Sequence, residues 1–360
     1  MRQLLFPLAW IYHLVVFFRH KLFDWGILST KEFEIPIIGV GNITVGGTGK
    51  TPHVEKLIEI LLPKYKVAVL SRGYRRKTKG YILAKNDSDA SEIGDEPAQI
   101  KAKFPSIHVA VDGNRVRGVK NLTQSFSQIR AIILDDSFQH RYIKPGLNIL
   151  LIDYNRPIYE DELLPVGHLR DLKSQILKAD IIIVSKSPKS MKPIDERIFQ
   201  LNTKVLPYQT VFFTYLKYGN LKSVFKTTDD IIALEMHENK YSVLLITGIA
   251  NPKQLVEYVQ SISYPVNHLA FADHHNFTVD DMMLITKRYE ELSGKSKIIL
   301  TTEKDSFRFL AMAKVEPGLF NTLKNIMYYI PIEIEFVHEE HKNSFNSKIL
   351  NYVDKNKRNI

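Results

Sequence analysis

The chain has 360 residues, with 49 Lys and Arg against 39 Asp and Glu, and no cysteine. That length allows about two domains with sizeable cores, and the 44% hydrophobic and 24% charged fractions exclude global disorder. The missing cysteines exclude disulfides, thiolate metal sites and cysteine nucleophiles, while a net charge of +10 suits an anionic partner such as a nucleotide, a phosphorylated substrate, a nucleic acid or an anionic membrane.

The first element is the apolar run Leu4–Phe18, followed by Arg19, His20 and Lys21. A straight span needs about 20 residues, so this run is short, and Pro7 and His13 weaken it further. No small-residue cleavage site follows. The pattern predicts a helix lying in a membrane interface, with Trp10, Tyr12 and Trp25 at headgroup level and the basic cluster on anionic lipid. A buried core helix and a full span are the alternatives.

Short β-branched runs then alternate with helical stretches: Glu34–Val40, Lys66–Leu70, Ile107–Val111, Ala131–Leu134, Leu147–Ile152 and Ile181–Val184. This alternation predicts an α/β fold, a mostly parallel sheet with helices on both faces. Val205–Phe225 reads as two strands around Gly219–Asn220, an antiparallel ribbon marking a domain boundary. A second α/β section follows, with strands at Ser242–Gly248, Lys297–Thr301 and Ile326–Val337 and helices near Pro252–Ser261 and Val279–Ser293. The basic tail from Asn343 carries a helical patch at Ile349–Val353 and is expected to fray.

The strongest chemical signal follows the first of these strands. Val40–Gly41–Asn42–Ile43–Thr44–Val45–Gly46–Gly47–Thr48–Gly49–Lys50–Thr51–Pro52 joins a buried strand to an amphipathic helix. Strand, glycine-rich loop, Gly-Lys-Thr and helix are the context of a phosphate-binding loop. Glycines admit the backbone close to phosphate oxygens, and the N–H groups and helix N-terminus supply positive potential. Thr44, Val45, Gly46, Gly47, Thr48, Gly49, Lys50 and Thr51 are therefore nucleotide-binding candidates, with Lys50 aimed at the β/γ-phosphates and Thr51 at a magnesium ion. Thr44 stands where the usual pattern opens on glycine.

Ala131–Ile132–Ile133–Leu134 runs into Asp135 and Asp136, which puts two acids at the carboxyl edge of the sheet, where phosphate-loop enzymes hold their metal. Ser137–Phe138–Gln139–His140 adds polar groups at the same rim. Ser71–Arg72–Gly73–Tyr74–Arg75–Arg76 also follows a strand, and arginine suits phosphate. Asp95, in Gly94–Asp95–Glu96–Pro97, reads from chemistry alone as a helix cap or a general base. Asp273–His274–His275 is a dense titratable cluster, either structural or an oriented base.

With these pieces in place, the chain resembles the tetraacyldisaccharide 4′-kinases, the lipid A 4′-kinases of Gram-negative bacteria. The resemblance rests on GNITVGGTGKTP, LSRGYRR, GDEP, DDSFQH, LPVGHLRD, ITGIANP, FADHHNF and TTEKD, which run in order from residue 41 to 305. It implies a P-loop domain and a smaller α/β domain joined by a two-stranded linker. It also implies transfer of the ATP γ-phosphate to the 4′-hydroxyl of an acylated glucosamine disaccharide 1-phosphate, giving lipid IVA, with Mg²⁺ at Thr51, Asp135 and Asp136. The implied catalytic residues are Lys50 with an Asp–His dyad, here Asp95 and His274, taken in preference to His275. Arg72, Asn114, Arg115, Gln139, His140 and Arg170 are the candidates for substrate contacts. One departure is His168, where the family loop carries proline.

The resulting division is a membrane-associating helix at 1–30, a P-loop kinase domain at 31–204, a linker ribbon at 205–225, a second α/β domain at 226–340 and a basic tail at 341–360. Asp95 then falls in the kinase domain and His274 in the second, so domain closure is expected to bring them together. The expected partners are the lipid substrate and inner-membrane lipids at the cytoplasmic face, bound peripherally or in shallow embedding, with no nucleic acid and no obligatory protein partner. The competing reading is a soluble P-loop GTPase or ATPase switch of the metallochaperone type. Val45 stands where such proteins carry a signature lysine, and Thr302–Glu303–Lys304–Asp305 imitates their base-reading motif only in part.

Overall fold

The structure is a computed structural model that describes residues 5–225, 241–263, 265–294 and 296–356. The expected interfacial helix at 1–30, second domain at 226–340 and basic tail at 341–360 therefore each lie partly outside the described residues. The chain forms two compact units, one of Met1–Ser88, Ile100–Leu216 and Ile334–Ile360, the other of Asp89–Gln99 and Lys217–Glu333.

The strands in chain order are β1 (Ile37–Gly41), β2 (Val67–Ser71), β3 (Ile82–Leu83), β4 (His108–Val111), β5 (Ala131–Asp135), β6 (Leu147–Asp153), β7 (Ile181–Ser185), β8 (Thr210–Tyr218), β9 (Lys222–Ser223), β10 (Ser242–Thr247), β11 (Val266–Ala270), β12 (Lys297–Thr302), β13 (Met327–Ile330) and β14 (Ile332–Phe336). The helices are α1 (Phe6–Asp24), α2 (Lys50–Leu61), α3 (Ala90–Ile93), α4 (Asp95–Lys103), α5 (Arg115–Ser125), α6 (Pro193–Thr203), α7 (Lys253–Ile262), α8 (Val279–Glu290), α9 (Glu303–Val315) and α10 (Glu339–Lys355).

Among the described residues, the larger sheet has nine strands in the order β14-β8-β7-β6-β1-β5-β2-β4-β3. Its central strands are apolar runs buried on both faces, as parallel strands covered by helices require. β1 lies between β5 and β6, parallel to both, with Val40 opposite Asp135 and Gly41 opposite Leu150. That register brings the carboxyl ends of β1 and β5 to one edge, so the glycine loop leaves the sheet beside the acids. Gly41 has to be glycine, because a Cβ there would lie 2.9 Å from the Phe138 ring.

The smaller sheet runs β11-β10-β12-β13-β9. β10 to β13 pair in parallel and β9 is antiparallel to β13. α8 begins with a capping box between Thr278 and Asp281, which satisfies backbone donors at its first turn.

Two sequence expectations change here. Residues 205–225 do not pair with one another. β8 runs parallel to β7, with β14 on its other side, and β9 joins the smaller sheet. A Gly-Asn turn signal is local, whereas partner choice is set by which apolar faces need covering. The described part of the tail is also more than a short helical patch. α10 buries Phe345, Ile349 and Val353 at i, i+4, i+8, and its Tyr352 hydroxyl bonds both the N–H and the carbonyl of Ile37, at 3.2 and 3.1 Å.

Candidate active site

In the larger unit the glycine loop leaves β1 and enters α2 at Lys50. Gly49 takes φ +81°, a left-handed turn that a side chain disfavours. The first half of the loop is pinned by an isolated antiparallel bridge and is not a free turn. Thr44 bridges Leu169, Val45 N–H donates to His168 O at 2.8 Å, and Arg170 N–H donates to Ile43 O at 2.9 Å. Thr44 is not among the residues at positive φ, so this position needs no glycine. The same ladder gives the His168 segment its place and carries Arg170 to the loop.

Arg170 forms a fork on Asp136, with NH1 3.1 Å from Oδ2 and NH2 on Oδ1, and it also bonds Asn42. Lys50 Nζ lies 3.7 Å from Asp136 Oδ1 and 3.4 Å from Asn42 Oδ1. Asn42 is fully buried and donates its amide to Thr48 Oγ1 at 2.8 Å. Burial raises the Asp136 pKa, but the Arg170 bond and the Lys50 charge outweigh it and hold the group at about 2. Asp136 reaches this position at φ +55°, a conformation aspartate tolerates. Asp135, only 4% exposed, accepts from Ser71 Oγ at 3.0 Å.

The remaining predicted residues divide. Arg115 is 2% exposed and donates to Asp112 O at 2.8 Å and Asp135 O at 3.3 Å, so it supports the acid loop from inside. Burial lowers its pKa to about 10. Asn114 caps α5 by accepting from Arg117 N–H at 3.0 Å. Gln139 donates to Asn42 O at 2.9 Å, and burial pushes His140 down to about 4. Arg72 stands exposed at the end of β2.

α1 packs on these loops. Tyr12 donates to Arg170 O at 2.9 Å, Arg19 to Gln139 O at 2.6 Å, and His20 pairs with Asp171 at 2.6 Å. It buries Ala9, Val16 and Phe23 and leaves Leu8, Trp10, Ile11, Leu14, Val15 and Phe18 exposed. Among the described residues, no helix is long and apolar enough to cross a membrane.

The second cluster lies within the smaller unit. Residues 89–99 belong to that unit, so Asp95 and His274 share one unit, where the sequence division had put them in two. Asp95 opens α4 without capping it, and its side chain points instead to His274 and Arg308. His274 Nδ1 lies 2.9 Å from Asp95 Oδ2. A carboxylate only accepts, so Nδ1 carries the proton. Arg308 reaches the same oxygen with Nε at 3.2 Å and NH2 at 2.5 Å. Burial raises the Asp95 pKa, but the His274 and Arg308 bonds hold it well below the usual carboxylate range. Lys304 Nζ lies 3.2 Å from His274 Nε2, and Asp273 Oδ2 lies 3.9 Å from it. His274 reaches this position at φ +58°. His275 turns away to Asp281, at 2.8 Å.

Three comparisons place this arrangement among known proteins. The model of the family described as tetraacyldisaccharide-1-P 4′-kinase matches residues 1–353. The chain belongs to that family. A tetraacyldisaccharide 4′-kinase of Phocaeicola vulgatus is 48% identical over 99% of this chain and 96% of its own length. One of Bacteroides thetaiotaomicron is 45% identical over 99% and 94%. The fold is shared with the crystal structure of the "apo" form of LpxK from Aquifex aeolicus in complex with ATP, at TM-score 0.72 and 24% identity, covering 98% of this chain and 99% of that one. Membership makes the chain a kinase and sets aside the nucleotide-switch alternative.

The family resemblance did not supply every group seen here. Arg308 was missed, although it stands one helical turn beyond Asp305 and can be reached from TTEKD at i+3. In the sequence Asn42 is only a member of the loop motif, and nothing there marks its contacts to Lys50, Thr48 and Arg170. Among the described residues, no group of three or more His, Cys, Asp or Glu is arranged to hold a metal ion. The donors at the loop are oxygens, Thr51, Asp135 and Asp136. Few carboxylates and hard oxygen donors fit Mg²⁺, which completes its shell with water and nucleotide phosphates.

Proposed function

We propose that this kinase transfers the γ-phosphate of ATP to the 4′-hydroxyl of tetraacyldisaccharide 1-phosphate, with the residues of its two clusters in the following roles. The observation that carries the reading is the pairing of Lys50 and Arg170 on Asp136 beside a glycine loop at a helix N-terminus. Two cations, loop N–H groups and a hard-oxygen donor set form a seat for a nucleoside triphosphate. Residues 44–51 hold the phosphates. Thr51, Asp135 and Asp136 would hold Mg²⁺, which when bound neutralises charge on the phosphate oxygens.

Asp95 accepts the proton of the 4′-hydroxyl as the new O–P bond forms and the bond to the ADP oxygen breaks. The donors on Asp95 converge on Oδ2, which leaves Oδ1 to face the acceptor. A base held this low in pKa takes the proton late, when P–O bonding has already acidified the hydroxyl. His274 orients Asp95 through Nδ1–H. Arg72, Gln139 and His140 are left as contacts for the acceptor, while Arg115 and Asn114 serve the scaffold.

α1 gives the enzyme its membrane face. Its exposed Trp10, Ile11, Val15 and Phe18 enter the headgroup region, and its opposite side rests on the Arg170 and Gln139 loops. Replacing Trp10, Ile11 and Val15 with Glu should abolish flotation with anionic vesicles and leave ATP affinity unchanged. Retained flotation would refute this face.

The deciding assay is incubation with ATP, Mg²⁺ and tetraacyldisaccharide 1-phosphate, with product read by mass. A bis-phosphorylated lipid supports the reading. Consumption of ATP with no gain of phosphate on the lipid overturns it.

A further inference from the structure

Four carbonyls of the glycine loop are tied to side chains from other parts of the larger unit. Arg156 donates to Val45 O at 2.9 Å, Lys186 to Gly47 O at 2.5 Å, Ser185 to Thr48 O at 2.8 Å, and His53 Nδ1 bonds Gly49 O at 2.7 Å. Ser185 is fully buried at the end of β7. Lys186 follows it in the left-handed region at φ +56°, and its ammonium lies 2.7 Å from Asp153 Oδ2 at the end of β6. Asp153 is 5% exposed. A buried carboxylate with a lysine at this distance fixes the ammonium toward the loop.

The consequence follows from peptide geometry. In a trans peptide the carbonyl of one residue and the N–H of the next point in opposite directions. Anchoring the carbonyls of Val45, Gly47, Thr48 and Gly49 therefore aims the following N–H groups away from the anchors. The N–H of Thr48 is used inside the loop, on Gly46 O at 3.1 Å. Those of Gly46, Gly49 and Lys50 are set by the Val45, Thr48 and Gly49 anchors, and the Lys186 anchor on Gly47 O fixes the Gly47–Thr48 peptide whose N–H closes the loop onto Gly46 O. A loop with three glycines has many competing conformations, so it binds phosphate well only if something outside selects one.

We propose that Lys186, oriented by Asp153 and joined by Ser185, is a positioning clamp for the phosphate loop that sets affinity for the nucleoside triphosphate. The clamp contacts the loop's backbone. It rests on the reading of residues 44–51 as the nucleotide-holding loop, and it assigns function to the end of β7, which no other step uses.

The test compares Lys186→Met, Lys186→Arg and Ser185→Ala in the full chain, with Lys50→Ala as the reference. Nucleotide affinity is measured by calorimetry with a non-hydrolysable ATP analogue, beside steady-state kinetics and thermal unfolding. Loss of a charge-assisted bond predicts that Lys186→Met raises the analogue Kd and the ATP KM roughly tenfold. The acceptor KM should stay within about twofold. Lys186→Arg should recover part of the loss, and Ser185→Ala should shift the same two constants less. Should Lys186→Met unfold, the other two variants carry the same comparison. Lowered thermal stability with unchanged ATP affinity overturns the clamp, because a merely structural role predicts that result. If Lys50→Ala also leaves affinity unchanged, the loop reading itself has failed. If Lys50→Ala weakens binding and the Lys186 variants do not, only the clamp has failed.

Discussion

Asp136 in the larger unit and Asp95 in the smaller one are both carboxylates gripped by an arginine, yet the grips differ. Arg170 covers both oxygens of Asp136, and Lys50 stands 3.7 Å from one of them. Arg308 and His274 both go to Oδ2 of Asp95. The first arrangement balances charge with two cations on one carboxylate, which on the proposed reading turn to phosphate oxygens. The second gathers its donors on one oxygen, which on the proposed reading orients a base. An arginine–carboxylate pair thus does not announce its role, and the distribution of donors over the two oxygens does.

The comparison breaks most visibly at Lys50. Lys50→Ala removes one of the two cations on the donor side and should lower kcat/KM by about 10³-fold, because charge neutralisation and positioning dominate phosphoryl transfer. A loss below about tenfold would mean that Arg170 alone carries the charge. The next effect is at the base. Asp95→Asn and His274→Ala should each cost on the order of 10²-fold in kcat. If the pair acts as a unit, the double variant falls little below Asp95→Asn alone, whereas multiplied losses would separate them.

Arg308→Met gives a smaller effect and a sharper test of the contrast. Removing the guanidinium takes away part of what opposes burial and leaves the His274 bond and the Lys304 charge to hold Asp95 down, so its pKa rises. Asp95 must be ionised to accept a proton, so the acid limb of kcat/KM should move to higher pH while the alkaline limb stays in place. A uniform loss at every pH would make Arg308 a packing residue. The matching substitution at Arg170 should instead weaken ATP binding with no displaced limb.

The two regions also differed in how far the sequence revealed them. The donor side is nearly contiguous. Val40 to Pro52 carries the loop, and Asp135 and Asp136 follow an apolar strand whose parallel pairing fixes their edge. The base cluster is gathered from residues 95, 274, 304 and 308, and no local pattern orders such distant pieces. The family resemblance pairs Asp95 with His274, but chain order separates them and so calls for domain closure that their shared unit does not need. The burial of Arg115, at 2% exposure with carbonyl partners, is a tertiary fact that no local pattern carries. α10 was underestimated because basic residues hide the spacing of Phe345, Ile349 and Val353.

The smallest effect concerns acid stability and again falls on the donor side. His53 lies beneath the loop, between Gly49 O at 2.7 Å and Thr214 Oγ1 at 3.1 Å. Burial lowers its pKa from 6.5 to about 4, against the opposing pull of the Gly49 bond. The unfolded chain therefore takes a proton near pH 6.5 that the folded chain refuses until about pH 4. Stability is full above that window, declines as pH falls through it, and levels off below, with a loss on the order of 3 kcal/mol. His140 is shifted the same way, so His53→Gln should flatten only part of the Tm-against-pH curve between pH 4 and 6.5. An unchanged curve would mean that His53 opens to solvent before it titrates. Asp95 stays ionised throughout this window, so activity lost there with folding intact would point to the smaller unit instead.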